Sequence, residues 1–133
     1  MNYSINKFIK RTIMYYMIAS FEEKKGRRYL MYRFPIYWTD KLKIDFLQRV
    51  ILIHSYLYYE IDNSVWTDRK YDEVAKQLTN IQNKHTKSWV HNNTQYGYCF
   101  YDFDGTTGFD LWYRLNLKDR QSIQNIAERI GQK

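Results

Sequence analysis

Two adjacent aromatic rings and a set of carboxylates fall within a short stretch in the middle of the chain. The face of an aromatic ring attracts a cationic group through cation–π interaction. A carboxylate accepts hydrogen bonds from ribose hydroxyls. Together these groups would suit a ligand that carries a positively charged ring and a ribose. The candidate ligand-binding residues are Tyr58, Tyr59, Asp68, Tyr71 and Asp72.

The elements around these residues are predicted to be two helices joined by a tight turn. Apolar residues at helical spacing predict one helix from Asp40, the expected cap, to about Ile61, and another from Thr67–Asp68 to about Lys84. The polar triplet Asp62–Ser64 favours a turn, because short polar side chains satisfy free backbone groups there. The end of the first helix would then lie beside the start of the second. The expected buried stripe of the first helix is Leu42, Phe46, Val50, Ile53, Leu57 and Ile61.

A known family has a similar hairpin. Residues 54–78 read HSYLYYEIDNSVWTDRKYDEVAKQL. They resemble the N-terminal Ia subdomain of NAD-dependent bacterial DNA ligases, whose signature is approximately YYxxDxPxxxDxxYDxL. The resemblance covers about 25 of the 133 residues, and Ser64 stands where the family usually has proline. The matching positions are Tyr58, Tyr59, Asp62, Asp68, Tyr71 and Asp72.

The resemblance implies a ligase-Ia-like helical hairpin over residues 40–84, with Asp62 in its turn. In the ligases this segment contacts the nicotinamide mononucleotide half of NAD, so the resemblance implies NAD or NMN as a ligand of the five candidate residues. As a small stand-alone protein with such a hairpin, the chain resembles those carried by phages and prophages of low-GC bacteria. A structural interpretation stays open beside this one. Tyr58 and Tyr71 could be core rings, and Asp68 and Asp72 could only favour a helix N-terminus.

The residues that ligase catalysis requires are not found. The ligases attach AMP to the lysine of a KxDG motif, in a large nucleotidyltransferase domain after the hairpin. The 55 residues that follow Leu78 are too few for that domain, Lys43–Phe46 lacks the glycine, and Asp102–Gly105 lacks the lysine. We therefore expect a non-catalytic binding protein rather than an enzyme, with no required cofactor and with NAD or NMN as its ligand.

The remaining sequence predicts an α+β fold, mainly helical, as a single domain over residues 1–133. Alternating aromatic segments predict a small antiparallel sheet. In it Tyr96–Phe103 and Phe109–Leu115 form a hairpin, and Tyr29–Trp38 adds an extended segment. A polar loop is expected through His91–Asn93. Helices are also predicted for Ile5–Lys25 and Lys118–Ile130.

Aspartates in the predicted hairpin suggest a second kind of chemistry. Asp102–Thr106 is similar to the DxDGT motif of haloacid-dehalogenase-type phosphatases, whose aspartates hold magnesium. Only 27 residues follow Thr106, too few for that fold, so a hairpin turn at Asp104–Gly105 is the favoured interpretation. A weak cation site formed by Asp102, Asp104 and Asp110 stays open. The histidines are too scattered for a metal site, and we predict none.

The net charge of +7 lies in the first third of the chain. Residues 1–49 hold 11 basic and four acidic side chains, whereas residues 50–133 hold ten of each. Such a patch attracts polyanions by counterion release, although a solvated loop is the alternative. The second hypothesis is therefore a basic interaction protein that docks on nucleic acid or an acidic protein, for example a phage inhibitor of host defence or replication. The cluster that would bind this partner is Lys24, Lys25, Arg27 and Arg28.

The composition is that of a soluble globular protein, with 44% apolar and 26% charged residues. The lone Cys99 favours a reducing compartment. No apolar stretch approaches the roughly 18–20 residues of a membrane span. We therefore expect a cytoplasmic protein that does not interact with membranes.

Overall fold

This computed structural model describes residues 31–106 and 108–131. The chain divides into two compact units, residues 1–33 and 34–133. The predicted helix Ile5–Lys25 and the first residues of the predicted segment Tyr29–Trp38 lie outside the described residues. The helical segments of the second unit are α1 (Asp40–Ser55), a π-helical turn (Tyr56–Glu60), α2 (Asp68–Gln82), α3 (Lys87–Asn93), α4 (Gly97–Phe100), α5 (Leu111–Arg114) and α6 (Leu117–Gly131).

Helix α1 is the centre of this unit and contacts α2, α5 and α6. It begins after Thr39, whose side chain accepts a hydrogen bond from the backbone N–H of Leu42 and caps the helix. The cap is therefore Thr39 and not Asp40, whose carboxylate instead lies 2.9 Å from the His85 ring nitrogen. Much of α1 is buried all round, so its sides can contact several other helices at once. Its fully buried apolar side chains include Ile44, Leu47, Ile51 and Leu52.

The first helix of the hairpin changes its winding before it ends. After Ser55 the chain forms a π-helical turn, closed by a hydrogen bond of 3.3 Å from the Ile61 N–H to the Tyr56 carbonyl. The wider turn rotates the following residues away from the buried face. Ile61, expected in the buried stripe, is therefore exposed, whereas Leu57 stays buried.

The described residues contain no strand, so the predicted sheet is wrong and the fold of this part of the chain is all-α rather than α+β. Tyr96–Phe103 begins with α4, and Phe109–Leu115 contains α5. Residues 31–38 form no strand either. The apolar residues of the first segment suit one helical turn, because Tyr96, Cys99 and Phe100 are all buried at a spacing of three and four residues.

Long-range hydrogen bonds hold that segment in its helical form. The buried Gln48 side chain accepts from the Tyr96 N–H (3.0 Å) and donates to Gln82 (3.1 Å) and to Thr94 (3.0 Å). Gln82 in turn donates to the carbonyl of Phe100 (3.1 Å). These bonds satisfy backbone groups that a strand would have paired with a neighbouring strand.

Two further helices complete the described fold. Helix α3 includes His91–Asn93, which the sequence suggests as loop; the Thr86 side chain caps it by accepting from the Trp89 N–H at 3.1 Å. Helix α6 confirms the predicted last helix to within one residue at each end. Its inward residues are those expected: Ile123, Ile126, Ala127 and Ile130. No helix in the described ranges is long and apolar enough to cross a membrane.

Candidate ligand-binding site

A tight turn between the π-helical segment and α2 positions the site. Asp62 adopts the left-handed backbone region (φ 48°), which aspartate tolerates better than most residues. The Asn63 N–H donates to the Leu57 carbonyl at 2.8 Å, and this bond reverses the chain. Ser64, at the position of the family's proline, donates from its hydroxyl to the Trp66 carbonyl at 2.7 Å. Helix α2 then starts after Thr67, whose hydroxyl accepts from the Lys70 N–H at 3.1 Å.

A cavity of about 370 Å³ opens between the two arms of this hairpin. All five residues that the sequence singled out lie in its wall. Tyr58 and Tyr59 are 47% and 38% exposed, so Tyr58 is not a core ring of the structural interpretation, whereas Tyr71, its other ring, is only partly exposed. Their role as ligand contacts stays a prediction. The lining residues are His54, Tyr58, Tyr59, Ser64, Trp66, Thr67, Asp68, Tyr71, Asp72 and Thr106.

The two tyrosine rings lie nearly at right angles. Their centroids are 4.7 Å apart and their planes meet at 78°, an edge-to-face arrangement that aromatic pairs favour. Tyr58 and Tyr59 therefore offer differently oriented surfaces to a ligand in the cavity. The π-helical winding explains why both rings are exposed although Tyr56 and Leu57, just before them, are buried.

A stacked pair of rings forms another part of the wall. The His54 and Trp66 rings lie 3.6 Å apart between centroids, with 10° between their planes. Burial lowers the pKa of His54 well below its ordinary value, and the positive charge of Lys70 lowers it further. His54 is therefore neutral at pH 7, and its ring acts as a flat aromatic surface rather than a charge.

The Tyr71 hydroxyl lies deep in the wall, beside the hydroxyl of Ser55. Burial raises the pKa of Tyr71 to about 12, and the Ser55 hydroxyl opposes that rise in part. Gly108 covers both groups so closely that a Cβ atom at this position would lie 2.3 Å from the Ser55 oxygen and 2.3 Å from the Tyr71 oxygen. A side chain at this position would have to push one or both oxygens aside, so the close approach of this backbone favours glycine.

The charges in the cavity wall favour the cationic ring of a ligand. Among the lining residues the charged side chains are Asp68 and Asp72, both exposed to solvent, and His54 is neutral. Lys70 does not line the cavity; its Nζ lies 5.6 Å from the centroid of the Trp66 ring. A positively charged ring would therefore meet aromatic faces and two carboxylates inside the cavity, with Lys70 as the nearby cation behind the Trp66 ring.

Sequence reasoning missed five lining residues. His54 lies four residues before Tyr58 on the same helix, a spacing that could have indicated a shared face. Trp66 and Thr67 directly precede the matched Asp68, and the helix-capping role of Thr67 was readable from its position. Ser64 was assigned to the turn alone. Nothing in the local sequence indicated Thr106, which reaches the cavity from a distant loop.

The three aspartates considered for a cation do not form a site. Asp102 pairs with Arg114 at 2.6 Å, and Asp104 accepts hydrogen bonds from the backbone and hydroxyl of Thr106. These bonds lower the pKa of Asp104. In the described ranges no group of three or more His, Cys, Asp or Glu side chains is arranged to hold a metal ion.

Two further predictions concern Cys99 and the basic cluster. Cys99 is buried as expected, although in α4 rather than in a strand, and burial raises the pKa of its thiol to about 12. The predicted partner-binding cluster lies outside the described residues. Its members are Lys24, Lys25, Arg27 and Arg28.

Comparisons of the chain with models of protein families, with curated proteins and with solved structures find no match. The resemblance to the ligase Ia subdomain therefore depends on the matched residues alone.

Proposed function

We propose that the cavity binds a nicotinamide-type nucleotide, such as NMN or the NMN half of NAD, and that the protein acts as a non-catalytic binding module. The observation that supports this most strongly is the shared position of the five residues predicted from sequence, all of which line one cavity. These five residues were chosen from their chemical types and from the family resemblance, and neither criterion uses the three-dimensional structure. Their convergence on one concave surface is what a ligand site requires.

The size of the cavity is suitable for a small nucleotide. Its volume of about 370 Å³ lies near the lower end of the range of roughly 300–1,000 Å³ for small-molecule sites. A single nucleoside unit suits this space better than an entire dinucleotide. The pyridinium ring would stack against the aromatic wall, and the ribose hydroxyls would donate to Asp68 or Asp72.

Calorimetric titration of the full chain with NMN tests the proposal. We expect saturable binding in wild type and its loss in a Tyr58→Ala/Asp72→Ala double variant, since an aromatic face and a carboxylate are removed together. The matched control is Tyr37→Ala/Asp110→Ala, which removes the same side-chain types at exposed positions outside the cavity. An affinity weaker than about millimolar for NMN, NAD and other nucleotides would reject the proposal.

A further inference from the structure

A row of exposed rings continues from the cavity across the neighbouring helix α5. The centroids of Tyr59 and Phe109 are 5.5 Å apart, and those of Phe109 and Tyr113 are 6.0 Å apart. Phe109 is 51% exposed and Tyr113 is 54% exposed. Neither ring lines the cavity itself. The aromatic surface therefore extends beyond the space that a mononucleotide would fill.

The last ring in this row is held in position although it faces solvent. The Glu60 carboxylate, in the same π-helical turn as Tyr59, lies near the Tyr113 hydroxyl and raises its pKa. The Arg120 guanidinium donates to the Tyr113 carbonyl at 2.8 Å. The next residue toward the N-terminus, Trp112, is buried and anchors α5. An aromatic surface that is fixed before binding loses little conformational freedom when a ligand stacks on it.

We propose that Phe109 and Tyr113 stack against the second base of a dinucleotide whose cationic half occupies the cavity. This inference rests on the proposed function. The cavity holds one nucleoside unit, so the other half of a dinucleotide must leave it, and the row from Tyr59 to Tyr113 offers a continuous path. An adenine ring suits this path, because every base has an aromatic face that can stack on an aromatic side chain. The preferred ligand is then NAD rather than NMN.

The experiment compares the affinities of NAD and NMN for the full chain. In wild type we expect NAD to bind at least about tenfold more tightly than NMN, as one added stacked base would give. Tyr113→Ala should weaken NAD binding while leaving the affinity for NMN within about twofold, because its ring partner Phe109 does not line the cavity. Phe109→Ala should weaken NAD binding more than NMN binding, since Phe109 also contacts Tyr59. Phe109→Trp, which keeps an aromatic face, should retain the preference for NAD.

A matched control is Tyr101→Ala, because Tyr101 is also exposed but contacts His91 on another part of the surface. It should leave both affinities unchanged. Equal affinities of wild type for NAD and NMN would overturn the inference while leaving the proposed function intact. Equal weakening of both ligands by Phe109→Ala would also overturn it, since Phe109 would then act on the cavity. If neither ligand bound wild type, the proposed function itself would fail.

Discussion

The ring of His54 lies flat against the ring of Trp66, with 3.6 Å between their centroids. The contact joins the α1 arm of the hairpin to the turn that precedes α2. Because His54 is only 3% exposed, it supports the cavity wall from within the protein. The sequence favours an ordinary core histidine at this position. In the structure, His54 also forms part of the cavity wall.

The buried His54 should make the stability of the protein depend on pH. Its pKa is well below 6.5 in the folded state, so below about pH 6.5 the unfolded chain binds a proton that the native state does not bind. Stability is therefore expected to fall with decreasing pH, by up to about 1.4 kcal/mol per pH unit for this residue. Urea unfolding at pH 7, 6 and 5 measures the slope.

The control for this slope is His54→Phe, which keeps an aromatic ring against Trp66 and cannot titrate. Between pH 6.5 and 5, the slope of its unfolding free energy against pH should be smaller than that of wild type by the contribution of one bound proton. The same pH dependence in both proteins would contradict a neutral His54 in the native state.

Substitution of Gln48 should destabilise the fold strongly. Gln48→Leu keeps the side chain's approximate volume but removes the acceptor of the buried Tyr96 N–H and the donor to Gln82. Leaving such groups unsatisfied should cost about 3 kcal/mol in the free energy of unfolding. Chemical denaturation of the variant measures this loss. In the matched control Gln121→Leu the residue is exposed on α6, and the change should stay within about 0.5 kcal/mol.

The approach of Gly108 to two hydroxyl groups gives a third prediction. Gly108→Ala places a methyl group against the oxygens of Ser55 and Tyr71, and such overpacking should cost about 1–3 kcal/mol. Thermal unfolding measures the loss. Adding Ser55→Ala and Tyr71→Phe removes both oxygens, so this triple variant should be more stable than a Gly108→Ala protein. If the two additional changes only lowered stability further, the close approach would not be the cause.

The hairpin could be predicted from sequence because its signals are local. A helix start at Asp40 (one residue after the observed cap, Thr39), an apolar stripe, a polar turn at Asp62–Ser64 and a helix start at Thr67–Asp68 are each written within a few residues. Since these signals also fix the arms relative to the turn, the five candidate residues could be placed together from sequence. The shift to π-helical winding at Tyr56 had no such signal, which is why Ile61 was assigned to the wrong side.

Local sequence could not decide whether the segments predicted as a sheet form strands or helices. The segment from Tyr96 to Phe103 has aromatic residues at alternate positions, but Tyr96, Cys99 and Phe100 also fit one helical turn. What distinguishes the two forms is the hydrogen bonding from Gln48 and Gln82, 48 and 18 residues away. Tertiary contacts therefore decided the conformation against the strand propensity of the segment.

The second hypothesis, that the basic cluster docks on a polyanion, can be tested independently of nucleotide binding. We expect the full chain to be retained on heparin or DNA, with retention falling steeply between about 50 and 300 mM salt. A variant with all four basic residues replaced should lose retention but bind NMN as wild type does, because it leaves every described residue of the cavity wall unchanged. Undiminished retention would show that the cluster binds no polyanion. The four changes are Lys24→Ala, Lys25→Ala, Arg27→Ala and Arg28→Ala.

Amide chemical shifts of the full chain during titration with NMN test most directly whether the nucleotide binds between the arms of the hairpin. We predict saturable shifts at residues 54–72, including the Trp66 indole N–H, together with Thr106. A second cavity of about 280 Å³, lined among others by His85, Tyr101 and Asp102, should show none. Saturable shifts around that second cavity alone, or no shifts anywhere at millimolar NMN, would contradict the account.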